Sequence, residues 1–560
     1  WLARMVGRDF FPSVDAGQLR LHARSAPGTR IEQTEVRFAE VEQEIRSALP
    51  AGEIETILDN IGIPNAWGSI AQGDVPNIAA TDGEILISLS REKHGPVRDY
   101  EVVLRKRLNQ RFPDMTFFFE PANITNQILN FGLPAPIDLQ IVGRDAANNF
   151  KVAQRLRDRI THIPGAADVH IHQVFSQPQL NMSVDRVKAG QLGLTERDVS
   201  SSMLISLSGN NQVAPNFWLN PANGVSYNVG VQTSPYRIDS MDELLRTPIT
   251  AATNAVNTTT AGSLAGLSVA GNASVGSSPS GASQAYGNPG AIPSGTQLLS
   301  NLVDVERGHG PVIINHYNVT PVFDVYANVD RRDLGSVGSE VEKIMKDEQA
   351  HLPRGTTLSL RGEYETMQTS FVRLALGMIF AVVLVYLLMA VNFQSWLDPF
   401  IILTALPGAI AGILWMLFVT GTTLSVPSLM GSIMCVGVAT ANSILMVTFA
   451  NDQRATIPLA RDAMLSAGHA RLRPVLMTAA AMILGMLPMA LGLGEGGEQN
   501  APLGRAVIGG LMGATITTLF VVPIFYTYLR TKAPVDQSRR LEDEERTEAL
   551  ESEWDLLERA

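Results

Sequence analysis

Between Arg373 and Asp452 the only charged residue is Asp398. No soluble core uses so long an apolar run, so this part of the chain belongs in a lipid bilayer. A helix needs about 20 residues to cross the hydrocarbon layer. Five segments are long enough, at about 371–393, 398–420, 425–450, 474–493 and 505–529.

Basic residues orient these spans. The 451–473 connection holds Arg454, Arg461, Arg471 and Arg473, and Arg530, Lys532, Arg539 and Arg540 follow the last span. Both regions are therefore predicted to be cytoplasmic. Five spans then put the large N-terminal part on the opposite side, together with the 494–504 loop and its Glu495 and Glu498. The chain opens WLARMVGRDFFP, with no initiator Met and no secretory signal. This predicts a fragment preceded by an apolar helix that ends near Trp1.

The single cysteine, Cys435, lies among the spans, so no disulfide can form within the chain. A net charge of -11 without Lys/Arg clusters argues against nucleic acid. No P-loop, G-x-S-x-G or H-E-x-x-H motif is present, so the chain is not read as an enzyme and no cofactor or metal is expected.

Residues 1–365 carry charges everywhere except 247–303 and show a repeated pattern. GQLRLHARS (17–25) alternates as a strand does, RIEQTEVRFAEVEQEIRSAL (30–49) has helical periodicity, and EIETIL (53–58) alternates again. The order strand–helix–strand recurs at 84–120, 136–174 and 319–364. Two βαβ units make one split βαβ, ferredoxin-like subdomain. The prediction is an α+β region of two such subdomains joined to a polytopic helical bundle. The first subdomain spans 1–130. The second is split into 131–175 and 319–365 by an insertion at 176–318. The bundle covers 366–532, and 533–560 is a charged tail.

Thr247–Val303 holds no charged residue and is rich in Ala, Gly, Ser, Thr and Asn. Such composition buries too little apolar area to order a chain, so about 251–296 reads as a flexible surface loop. In the tail, Leu550, Trp554 and Leu557 have helical spacing and suggest a short amphipathic helix. His170 and His172 of HIH share one face of a predicted strand; with no third metal ligand in view they read as a solvated face.

Inside the third span, Thr440, Asn442 and Ser443 interrupt GVATANSILMVTFAND (437–452). Such groups either bind neighbouring helices together or line an ion pathway. Arg471 stands at the foot of the fourth span, with Thr478 two turns further along the same face. Gly408/Gly412 and Gly509/Gly513 are spaced for close helix approach.

Four stretches carry a resemblance to a known family: FFPSVDAGQLRLHARSAPGT (10–29), NFQSWLDPFIILTALP (392–407), RLRPVLMTAAAMILGMLPMALG (471–492) and QNAPLGRAVIGGLMGATITTLFVVPIFY (499–526). The chain resembles the C-terminal half of a resistance-nodulation-division (RND) efflux permease, most closely of the hydrophobe/amphiphile branch. The resemblance implies a homotrimer in the bacterial inner membrane, working with a periplasmic adaptor protein and an outer-membrane channel. It implies proton-driven export of small hydrophobic substrates through a porter cleft, amid membrane lipid. Leu58, Ile63 and Leu86 align with the family's deep pocket, and Trp67 either lines the cleft or packs on its own subdomain. The family's membrane lysine is replaced here by Ala441, beside Asn442, while Arg471 and Thr478 match relay-associated positions. The expected relay is therefore built on Thr440, Asn442 and Thr478. A heavy-metal exporter of the same superfamily, and a scaffold that does not transport, are the competing readings.

Overall fold

The structure is a computed structural model. It describes residues 2–12, 14–50, 52–62, 77–90, 94–122, 127–128, 132–213, 215–251, 296–454, 456–493 and 496–530. The loop expected at 251–296 is described only at its two ends, and the tail with Leu550, Trp554 and Leu557 lies outside the described residues. Two compact units are present: Trp1–Phe175 with Pro311–Ala560, and Ser176–Gly310.

In the larger unit, strands β1 (Gln18–Arg24), β2 (Ile54–Ile61), β3 (Asp82–Leu89) and β4 (Thr116–Glu120) alternate with helices α1 (Ile31–Ala48) and α2 (Val97–Arg111). The sheet order is β2-β3-β1-β4, with every pairing antiparallel. Side chains alternate across a strand. Leu19, Leu21 and Ala23 therefore join Ile85, Ile87, Phe117 and Phe119 in a core under Phe38, Val41, Leu104 and Leu108 of the two helices. The intervening residues Arg20, His22 and Arg24 go to the opposite, helix-free face.

The second subdomain repeats this plan with β5 (Ile137–Val142), α3 (Ala146–Thr161), β6 (Ala166–Ile171), β7 (Thr320–Val329), α4 (Leu334–Gln349) and β8 (Thr357–Arg361). Its order is β8-β5-β7-β6, again antiparallel, with the short strand Asn315–Tyr317 also paired to β7. Both helices start at an aspartate cap: Asp145 accepts from the Asn148 N–H, and Asp333 from the Ser336 N–H. Each sheet thus has the ferredoxin-like strand order that two paired βαβ units produce.

Five helices, or helix pairs, are long and apolar enough to cross a membrane. They are α5 (Glu363–Phe393), α6 (Leu397–Leu403) with α7 (Leu406–Val419), α8 (Val426–Gln453), α9 (Ala460–Ala490) and α10 (Gly497–Leu529). They outrun the apolar segments that predicted them. The fourth was expected at 474–493, yet α9 begins at Ala460 and carries Arg461, Arg471 and Arg473. Its 31 residues make a rod of roughly 46 Å, against about 30 Å of hydrocarbon, so polar turns lie beyond the lipid. The second span is interrupted between α6 and α7 just before Pro407, which cannot donate a backbone hydrogen bond.

Helix α10 is the axle of the bundle and packs on α7, α8 and α9. Its glycines meet those of α7 directly. A Cβ on Gly412 would stand 2.3 Å from the Gly509 carbonyl oxygen, and one on Gly513 would stand 2.3 Å from that of Gly408. Only glycine fits there, as the spacing predicts for a close helix approach.

Two connections tie the bundle to the sheets. Strand β8 passes through Gly362 straight into α5, whose Tyr364 and Met367 belong to the core of the second subdomain. Residues 7–10 bond to both sides: the Leu424 N–H donates to the Gly7 carbonyl, the Val426 N–H to Phe10, and the Gly335 N–H to Arg8.

The smaller unit pairs Gln177–Val184 with Val303–Gly310. Helix Glu196–Ser208 opens with a Thr195/Asp198 capping box, and Leu194, Val199, Ile249, Leu299 and Leu302 form the core. A hairpin of Asn216–Leu219 and Ser226–Val229 exposes Phe217, Trp218 and Leu219.

Candidate functional site

The helix-free faces of the two sheets hold His22, Arg24, Glu120, Asp138, His170 and Asp324, all buried. On the first sheet, strand register places Leu58, Leu86, Arg20 and Glu120 in one row across four strands. The next row is Asn60, Glu84, His22 and Phe118. On the second sheet, Arg361, Asp138, Tyr326 and His170 form a row, with Ser359, Gln140 and Asp324 beside it. Leu58 is 54% exposed and Leu86 is half-buried, so the two expected substrate residues are neighbours on an open face. Ile63 and Trp67 lie outside the described residues.

The expectation of a solvated HIH face is corrected: His170 and His172 are 6% and 2% exposed. The first sheet covers them. Phe118 stacks on His170 with ring centroids 3.8 Å apart and on His22 at 4.2 Å. The helix-free face of one sheet is shielded from water by an edge of the other. Sequence alternation finds the strand but not the surface that covers it.

The seam has a clasp that the sequence did not disclose. Asp168 adopts φ 53, a left-handed conformation that Asp tolerates better than most residues. Its carboxylate accepts from Arg105 Nε at 2.7 Å and Nη2 at 2.9 Å, from the Phe119 N–H at 3.2 Å and from Asn328 Nδ2 at 3.0 Å. One buried carboxylate thereby joins α2, β4, β6 and β7. Such bidentate, charge-assisted contacts are the strong ones.

Beside the clasp is a cavity of about 550 Å³, bordered by Phe10, Phe11, Asp15, Glu101, Glu120 and Glu498, among others. Burial pushes the Glu101 carboxyl up to about 7. Burial likewise pushes Glu120 up to about 8, although Arg20 Nε lies 3.1 Å away and favours the charged form. Among the described residues no group of three His, Cys, Asp or Glu side chains is gathered as a metal site would need.

Within the bundle, the four relay candidates are not joined to one another by hydrogen bonds. Thr440 is buried, and its hydroxyl donates to its own helix, to the Val436 and Gly437 carbonyls at 2.9 Å each. Asn442 is buried and Ala441 faces outward. Ser443 shares a 2.9 Å hydrogen bond with Thr518 of α10. Thr478 is exposed, with its hydroxyl donating to the Val475 carbonyl at 3.0 Å. The Arg471 guanidinium lies over the Phe449 ring at 4.8 Å.

Asp398, the lone charge of the apolar run, accepts from Arg530 Nη2 at 3.1 Å. Asn451 lies 3.4 Å from the same oxygen and accepts from the Tyr526 hydroxyl at 2.7 Å. This network ties α6, α8 and α10 together at one end of the bundle. Its sequence signal was the isolation of Asp398; Arg530 had been read only as a mark of orientation.

Residues 1–530 match the family described as AcrB/AcrD/AcrF. The chain is 26% identical over 534 residues to the cobalt-zinc-cadmium resistance protein CzcA of Cupriavidus metallidurans, covering 95% of this chain and 46% of that protein. It is 28% identical over 547 residues to protein HelA of Legionella pneumophila, covering 96% and 47%. A crystal structure of a heavy metal efflux pump has the same fold, with TM-score 0.73, 24% identity, 95% of this chain and 48% of that one covered. The chain thus spans about half the length of the relatives it matches.

Proposed function

This chain belongs to the AcrB/AcrD/AcrF family of RND permeases, and from that premise we propose that it forms half of a proton-driven exporter of cationic substrates. It is a multi-pass protein of the inner membrane with a large periplasmic region. The complete pump works as a trimer, with a periplasmic adaptor and an outer-membrane channel. The observation that carries the substrate class is the likeness to a cobalt-zinc-cadmium resistance protein along 95% of the chain. That likeness favours metal cations over the hydrophobe/amphiphile class that the four sequence stretches suggested.

Export of amphiphilic compounds is the second reading. It is favoured by Leu58 and Leu86, which are paired in register on an open sheet face. In either case the proton path is built on Thr440, Asn442 and Thr478, at the level where Ala441 replaces a family lysine, and uses carboxylates from the other half of the permease.

The test is growth and accumulation in an efflux-deficient host that carries the full-length permease and its adaptor. The metal-cation reading predicts tolerance to zinc, cobalt or cadmium and no change in retention of a cationic dye. The converse result selects the amphiphile reading, and no effect on either would sink both. Asn442→Leu and Thr478→Ala should abolish export without loss of membrane protein; unchanged export in both would remove these residues from the proton path.

A further inference from the structure

Three histidines of the porter seam take no part in the function proposed above. Each is buried: His22 is 0% exposed, His170 6% and His172 2%. Both ring nitrogens of His22, and Nε2 of His170 and of His172, have no hydrogen-bond partner. A buried polar atom without a partner costs free energy that water would restore. Three such rings in one seam mark a contact that is closed at a cost.

The geometry explains what closes it. Phe118 of β4 lies between His22 of β1 and His170 of β6, each pair of rings within 16° of parallel. Tyr326 of β7 packs on His170 and His172, with centroids 5.7 and 5.4 Å away. Stacking of neutral rings is the attraction across the seam.

We propose that this stack of His22, Phe118 and His170, with His172 beside it, is a proton-sensitive closure between the two porter subdomains that opens when the imidazoles take up protons.

The surrounding charges give the direction. Arg24 is the nearest fixed cation, donating to the carbonyls of His172 at 3.1 Å and Ile171 at 3.4 Å. The facing carboxylates are already engaged. Asp82 accepts from Arg24 at 2.9 Å, Glu84 and Glu120 pair with Arg20, and Asp168 holds Arg105. Asp324 accepts from Gln173 at 2.6 Å, and Asp138 from Gln140 at 3.0 Å, with Arg361 cross-strand from Asp138. The closest carboxylate oxygens to His22 belong to Asp82 at 3.7 Å and Glu120 at 3.8 Å, both beyond hydrogen-bond length. A proton on His170 or His172 therefore adds charge to a dry seam that already holds Arg24.

Burial, and then the charge of Arg24, push His170 and His172 down to about 3, and burial lowers His22. The closed seam favours neutral imidazole, whereas the open seam lets each ring titrate near its usual 6.5. Closure is therefore complete above that value and weakens as pH falls below it, by up to tenfold per pH unit for each histidine. An acidified periplasm would act on the porter as well as on the membrane relay.

The inference rests on the porter reading, but its test does not use transport. The full-length permease carries spin labels at Asn109→Cys of α2 and Gln154→Cys of α3, both exposed, with Cys435→Ser and serine at every cysteine of the other half. Distance distributions are recorded at about pH 8 and about pH 5, a span that brackets imidazole titration. A longer-distance population should grow at least tenfold at the lower pH. The His170→Phe/His172→Phe variant keeps the rings and leaves only His22 to titrate, so its change per pH unit should fall about a hundredfold. A pH-invariant wild type, or a double variant that opens as the wild type does, overturns the proposal. If the double variant does not fold, His172→Gln decides. The change per pH unit must then fall about tenfold, and an unchanged slope is equally fatal.

Discussion

The larger unit contains two seams built on opposite terms. In the bundle, α7 and α10 meet through Gly408, Gly412, Gly509 and Gly513, with backbone against backbone and no charge between. Between the porter subdomains, contact is made by Arg105, Asp168, Asn328 and stacked rings. The solvent explains the contrast. Lipid gives no hydrophobic gain on helix association, so close packing must supply the attraction. In water, burial drives contact, and polar groups can be enclosed if they are satisfied. A glycine seam has one good position and fails by clash, whereas a charged seam fails by losing a partner and can respond to protons.

The largest effect should come from the porter clasp. Asp168→Ala removes the close partner of the largely buried Arg105, leaving Asp330 at 3.9 Å, and should cost about 3–5 kcal/mol in chemical denaturation. A loss below about 1 kcal/mol would mean that the clasp is incidental. Next is Gly412→Ala, whose methyl would meet the Gly509 carbonyl oxygen at 2.3 Å. Overpacking of this kind costs about 1–3 kcal/mol. Thermal unfolding in lipid should register it, and an unchanged midpoint would show that the helices can part without penalty.

A pH scan sharpens the contrast further. Glu101 has its carboxyl raised by burial from 4.5 to about 7. Its neutral form favours the fold, so this stabilisation is complete below 4.5 and is lost as pH rises through about 7. Glu101→Gln should flatten the porter's stability profile between about pH 4.5 and 7 and leave the bundle's unchanged. A bundle that shifts with it would erase the distinction between the seams. The smallest effect belongs to Ser443→Ala, which removes one interhelical hydrogen bond to Thr518 and should cost about 0.6 kcal/mol. A cost several times larger would make polar bonding, not glycine contact, the main attachment of α10.

The sequence disclosed what is local and periodic. Alternation in GQLRLHARS and helical spacing at 30–49 place β1 and α1 within a few residues of where they lie. Apolar run length finds five spans, but not their polar turns: α9 extends through Arg461 to Arg473, where hydropathy resembles that of a loop. The meeting of distant faces was not legible. Phe118 is one of three aromatics in TFFFE, and alternation sends it away from Phe117 and Phe119 to His22 and His170. Arg105 and Asp168 are 63 residues apart on different elements, and no period links them. Thr440, Asn442 and Thr478 were visible as polar groups in apolar helices, but their chemical environment depends on what faces α8 and α9.

The strand order of the second sheet has a consequence for how the protein is made. Strand β7 lies between β5 and β6, and β8 pairs only with β5. Strands β5 and β6 are synthesised first, and the whole of Ser176–Gly310 follows before β7 appears. Throughout that interval neither strand has its backbone partner, although α3, made between them, already brings Val152, Leu156 and Ile160 to the apolar face of Leu139 and Ile141. Unpaired strand edges with exposed apolar surface are the species that aggregate. The unpaired edges of β5 and β6 therefore mark the stage at which this half is most open to aggregation, and its yield is expected to respond to the supply of periplasmic chaperones.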